Sequence, residues 1–209
     1  MKINLKTILL AVFLVLLNYY VFIGAKKELS NVIVDSDMTF KEAIKGTKAP
    51  KNVIDSLALL NVEYYSTDGK LHEGQLVINK EVKKDIEDIF ALMLKNKFTI
   101  AHAVPIVKYN WSDEASMVDN NTSAFNYRNI AGTNRLSNHS FGKAIDINPF
   151  FNPVINHDGS KNPTAAKYDT SKPGTFSANN FVVKEFLKRG WRWGGTFSNY
   201  ADNHHFDKP

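Results

Sequence analysis

Apolar residues at Val82, Ile86, Ile89, Phe90 and Met93 recur at intervals of three and four, the spacing of one buried helical stripe, and predict a helix running from an Asn79 cap to about Lys95. Residues 182–187 predict a second helix, ending at Gly190. Residues 62–65 and 74–78 read as two strands joined through the turn signal Ser66-Thr67-Asp68-Gly69. Residues 98–107 form another strand-like apolar run, and Trp191-Arg192-Trp193 a short strand stopped by Gly194-Gly195. Residues 143–148 alternate, so that Ile145 and Ile147 face the core while Ala144, Asp146 and Asn148 face the other side. Residues 38–45 and 52–60 are short helix candidates without recognisable chemistry. Residues 109–135, rich in Asn, Ser and Asp, make a polar stretch of a length that points to a functional loop.

The start of the chain has a different pattern. Lys2 and Lys6 precede an almost unbroken apolar run over residues 8–25, and Lys26 and Lys27 follow it. This is the layout of a secretory signal or of a retained membrane anchor. Ile23-Gly24-Ala25 is a poor cleavage site, so both readings stand. Residues 1–25 are assigned to this segment, 26–60 to a linker or accessory segment, and 61–209 to a functional domain. The domain is expected outside the cytoplasm (periplasm, cell wall or secreted), touching membrane only through the N-terminal segment if that is uncleaved.

Composition narrows the chemistry. The 209 residues are 44% apolar and contain no cysteine, which excludes disulfide frameworks, thiolate nucleophiles and Cys-based zinc sites, and leaves only His, Asp and Glu to hold a metal. The formal charge is +5, of which Lys2 and Lys6 carry two. This is too weak, and not clustered enough, to suggest nucleic acid as a partner.

The informative segment is Ser137-Asn138-His139-Ser140-Phe141-Gly142-Lys143-Ala144-Ile145-Asp146. The alternation presents Asp146 away from the core, and Gly142 permits a turn that folds His139 over the same face. At the C-terminus, Asp202 and His205 are three apart, and in a helical turn they would share a face. Zinc catalysis needs three protein ligands, an open position and a base. His139, Asp146 and His205 supply the ligands, and Asp202 remains as the base. Deleting residues 201–209 should therefore inactivate the protein while sparing most of its core. On spacing alone, His139 and Asp146 could equally be hydrogen-bonded strand residues, and His204-His205 an exposed pair near a frayed end.

Ser137-x-His139-x-x-Gly142-x-Ala144-x-Asp146, followed at a distance by Asp202-x-x-His205-Phe206, resembles the signature of the M15 zinc peptidases, a family of D-alanyl-D-alanine carboxypeptidases and dipeptidases and L-alanyl-D-glutamate endolysins. The likeness is read over roughly residues 60–209. It implies an α+β fold of the DD-peptidase/hedgehog-like kind: a small, mainly antiparallel sheet with helices packed on one side and zinc in an open groove. It implies one Zn2+ per chain on His139, Asp146 and His205, with Asp202 as general base and Arg128 facing the developing oxyanion. It further implies an enzyme acting on a peptidoglycan stem peptide, foremost as a D-alanyl-D-alanine carboxypeptidase; an L-alanyl-D-glutamate endopeptidase and a non-catalytic zinc- or cell-wall-binding module of the same fold are the alternatives, and the chain is expected to be a monomer. Ser137, Asn121, Tyr127 and Trp193 are candidates for contacting substrate or supporting the ligands. The chain departs from the family pattern in reading Gly194-Gly195-Thr196-Phe197 in place of Gly-Gly-Asp-Trp, and in carrying Asp207 where Glu is usual.

Overall fold

The computed structural model describes residues 32–209, so the expected signal or anchor segment lies outside the described residues. The longest strands are β1 (Leu57–Tyr65) and β2 (Leu71–Asn79), paired antiparallel from Leu57 opposite Asn79 to Tyr65 opposite Leu71. The turn between them is closed by the Gly69 N–H donating to the Ser66 carbonyl. Leu76, Val77 and Ile78 are consecutive and all buried. Alternation sends Leu76 and Ile78 into the main core and Val77 into a second cluster with Ala43, Val53, Leu57 and Phe125. The hairpin is therefore covered on both faces, not on one as expected.

On the main-core face lies α3 (Lys83–Lys95), with Ile86, Ile89, Phe90 and Met93 buried. It begins after Val82 rather than at Asn79, because Asn79 ends β2 and its side chain instead accepts from the Glu81 N–H at 3.0 Å. The opposite face carries α1 (Phe40–Ala43), started by a Thr39/Glu42 capping box, and α2 (Lys51–Asp55). The helix expected over residues 52–60 thus stops at Asp55, and residues 57–60 are drawn into β1 by pairing with the apolar end of β2. The strand expected over residues 98–107 shrinks to β3 (His102–Ala103), parallel to β4 (Asn121–Thr122), with a 3-10 turn at Ile106–Tyr109. Between them, the polar stretch holds α4 (Asp113–Val118), capped by the Ser112 hydroxyl.

The C-terminal half is built on short strands. β5 (Ala144–Asp146), β8 (Arg192–Trp193) and β10 (His205–Asp207) form one antiparallel sheet with β10 in the middle. β6 (Val154–Ile155), β7 (Lys161–Asn162) and β9 (Ala201–Asp202) form another. Helix α5 (Phe181–Lys188), capped by Asn180, places Val182, Val183 and Phe186 in the main core. The result is a mixed α/β chain with small sheets and five helices among the described residues, rather than a single sheet.

The tail is held at two levels. Phe206 is fully buried and stacks on Phe186 with ring centroids 4.1 Å apart. Lys208 Nζ donates to Asp85 on α3 at 2.6 Å, and Trp191 Nε1 donates to the same carboxylate at 3.0 Å. Removing residues 201–209 would take out a central strand, so the expectation that the core survives such a deletion is corrected. Val34–Pro209 is one unit, and residues 34–56 contribute to it through the second cluster. No helix among the described residues is long and apolar enough to cross a membrane.

Candidate metal centre

Strand register creates the site. In the β5–β10 pair, Asp146 is directly opposite His205, so their side chains leave the sheet on the same face at adjacent positions. The third residue arrives from a 3-10 turn, Asn138–Phe141, that ends at Gly142 with φ 64°. A side chain at Gly142 would meet Asn79 N and Leu57 Cδ2 at 2.7 Å each, so only glycine lets this turn close against the end of the hairpin. His139 is thereby folded over Asp146, as the sequence suggested.

The resulting distances are short and mutual. His139 Nε2 is 3.2 Å from His205 Nδ1 and 3.2 Å from Asp146 Oδ2, and His205 Nδ1 is 2.9 Å from Asp146 Oδ1. His139 Nδ1 donates to the Ala124 carbonyl at 2.6 Å, which fixes the proton there and turns the Nε2 lone pair inward. Tetrahedral zinc with bonds of about 2.0–2.1 Å needs ligand atoms about 3.3 Å apart. The three side chains, which form a group able to hold a metal ion, match that spacing and donor chemistry.

Electrostatics support the same use. Burial works to raise the Asp146 carboxyl, yet the imidazoles of His139, His204 and His205 hold it well below the usual carboxylate range. Burial likewise opposes a charge on His205, but the Asp146, Asp207 and Asp202 carboxylates push it up to about 10. Without metal, a proton thus sits where a cation would sit. Metal uptake must release it, so zinc affinity is expected to weaken about tenfold per pH unit as pH falls from about 8 to about 6. Competition titrations against a chelator at several pH values measure this; a flat affinity would show that no proton is exchanged.

A groove of about 710 Å³ opens over the cluster and is lined by all three clustered side chains together with Asp202, Arg128 and Ser137. The helical turn expected to bring Asp202 to the groove is not formed. Asp202 ends β9, and two turn residues separate it from His205 at the start of β10. Gly194 makes room for it: a Cβ there would lie 2.5 Å from the Asp202 carbonyl oxygen and 2.8 Å from its Cβ. Asp202 Oδ1 is 3.0 Å from His204 Nε2 but off the line of a hydrogen bond, and it has no hydrogen-bond partner. Among the described residues only one other buried side-chain polar atom lacks a partner, Arg128 Nε. Unsatisfied buried polar atoms are costly and rare. Both fall on residues to which the family resemblance gives a part in the chemistry.

The ambiguity between His204 and His205 resolves by direction. His204 Nδ1 donates to the Asn152 carbonyl at 2.7 Å and its ring stays outside the cluster. Ser137 Oγ accepts from the His139 N–H at 3.3 Å and so caps the turn that carries this ligand. Asp207 accepts from Asn138 Nδ2 at 2.6 Å and from both Nε and Nη2 of Arg192, locking β10 to the His139 turn. Three further candidates, Asn121, Trp193 and Tyr127, are not part of the groove lining. Asn121 is fully buried and clamps the Val104 backbone through both amide atoms. Trp193 is buried with its indole N–H on the Asn203 carbonyl. Tyr127 packs on the second apolar cluster. Sequence reasoning missed Asp113, whose Oδ2 is 2.7 Å from Arg128 Nη2 at the groove wall; an acid at the first position of a short helix carries no signal of its own.

No curated protein matches the chain, and no solved structure matches it. A family model described as D-alanyl-D-alanine carboxypeptidase matches residues 131–208, less than half of the chain and a shorter span than the likeness read from residue 60 onward. The match covers the three clustered side chains and Asp202, while Arg128 and Asp113 lie outside it, and it supports an M15 family peptidase.

Proposed function

We propose that the protein is an exported zinc peptidase that hydrolyses peptidoglycan stem peptides, most specifically as a D-alanyl-D-alanine carboxypeptidase with the DD-peptidase/hedgehog-like fold. The observation that carries this reading is the Asp146–His205 cross-strand pair closed by His139 into a three-donor cluster at the floor of a groove. His139, Asp146 and His205 would hold one zinc ion per chain. When bound, zinc supplies Lewis acidity and lowers the pKa of coordinated water toward about 7. Asp202, with its unpartnered oxygen, takes the proton of the attacking water and returns it to the leaving amine. Arg128 faces the carbonyl oxygen as negative charge develops there. The N-terminal segment delivers the enzyme to its substrate outside the cytoplasm, and the chain acts as a monomer.

The test is incubation of the zinc-loaded chain with defined muropeptides, followed by weighing of the products. Removal of the terminal D-alanine from a pentapeptide stem is expected, and a chelator should abolish it. Cleavage between L-alanine and D-glutamate would replace the carboxypeptidase reading with an endopeptidase one. Failure to cut either bond would overturn the proposal.

A further inference from the structure

Asp113 opens α4, and it and Met117, one helical turn later, both line the groove. Among the described residues it is the only carboxylate paired with Arg128. The other contacts of that guanidinium are weak: Nη1 lies 3.5 Å from the Asn129 carbonyl, and Nε is buried without a partner. Asp113 has one further long contact, and its position follows from the segment before it. Asn126 Nδ2 lies 3.4 Å from its Oδ1. Asn110 and Trp111, just before α4, both have left-handed backbones, at φ 52° and 65°. That conformation is unfavourable for a tryptophan and persists only where surroundings impose it. Here the Trp111 indole donates to the Lys45 carbonyl at 3.1 Å and meets the Phe125 ring edge-on at 5.9 Å. The second apolar cluster thereby fixes where α4 starts.

We propose that Asp113 is a positioning residue for the peptidase reaction: it anchors the Arg128 guanidinium at the groove wall so that its terminal N–H groups meet the charge that develops on the scissile carbonyl. This rests on the role given to Arg128 in the proposed function. A half-exposed ion pair of this kind adds little to stability, so its use lies in orientation. The segment before residue 131, outside the family match, then has a catalytic duty: through Trp111 it sets the aim of Arg128.

The test compares Asp113→Asn and Asp113→Glu with the wild type, each as the full zinc-loaded chain on a pentapeptide stem. Asp113→Asn should lower kcat about tenfold to hundredfold with KM within about twofold, zinc content and Tm unchanged, and Asp113→Glu should recover part of the loss. In an Arg128→Ala background, Asp113→Asn should cost nothing further. An Asp113→Asn enzyme with wild-type kcat, or a loss that multiplies with that of Arg128→Ala, overturns the proposal. A second readout does not depend on turnover. The Arg128 Nε–H resonance should be sharp and slowly exchanging in the wild type and broadened in Asp113→Asn. Equal line widths overturn the positioning role, whereas a sharp wild-type signal in a chain that cuts no stem peptide defeats only the proposed function.

Discussion

Asp202→Ala is expected to leave about one zinc per chain in place and to lower kcat by about 10²- to 10⁴-fold, the usual contribution of a positioned general base. The metal should stay because Asp202 is not among the three clustered donors. The rate should fall because its carboxylate lines the same groove and keeps an oxygen free of hydrogen bonds. The backbone at this point is fixed by the β9–β6 pairing and by the close approach of Gly194, so the substitution should not move His205. His139→Ala makes the necessary contrast and should lose metal and turnover together, because no other described donor occupies its corner of the cluster. Metal analysis and turnover on the same preparations separate the two outcomes. Full hydrolysis by Asp202→Ala would show that another group takes the proton.

How much of this was legible in the sequence depends on the range of the interactions. The buried stripe of α3 and the helix at residues 181–188 were readable because their periodicity is local. The three clustered side chains were readable because two motifs carry them: in the first, Gly142 announces the turn behind His139 and the alternation around Ile145 settles which way Asp146 points, and the second, Asp202-x-x-His205, supplies His205. What could not be read was partnership. Nothing near residue 57 says that it will pair with Asn79, so the end of α2 was misjudged. Nothing near Asp202 distinguishes a helical turn from two strands meeting at Asn203-His204; that is decided by the pairing of β9 with β6 and of β10 with β5. Asn121 and Trp193 were candidates for contacting substrate or supporting the ligands, and the bland alternatives, a turn former and a core aromatic, were also open to sequence reasoning. Their hydrogen bonds to Val104 and Asn203 are set by chain segments that the motif does not specify.

Phe206→Ala is expected to be severely damaging for stability, at about 3–5 kcal/mol. That is a large share of the roughly 5–15 kcal/mol that holds a typical domain folded. Phe206 pairs with Ile145 on one side and Trp193 on the other, stacks on Phe186, and meets the edge of Phe176 at 5.1 Å. The contacts to Phe186 and Phe176 are to rigid rings, and those to Ile145 and Trp193 are to strands already paired, which limits how far the surroundings can close in. The same strand carries His205 next to Phe206, facing the groove while Phe206 faces the core, so core packing and metal geometry are coupled through one short backbone segment. Zinc affinity should therefore fall with stability in Phe206→Ala, while Phe206→Leu should recover most of both. Zinc that binds the folded chain alone should raise the Tm of the wild type and of both Phe206 variants, least in Phe206→Ala. Melting curves with and without zinc measure both effects. A Phe206→Ala protein that melts like the wild type would mean that β10 is held by the Lys208–Asp85 and Arg192–Asp207 contacts alone, and that the aromatic stack contributes nothing to the site.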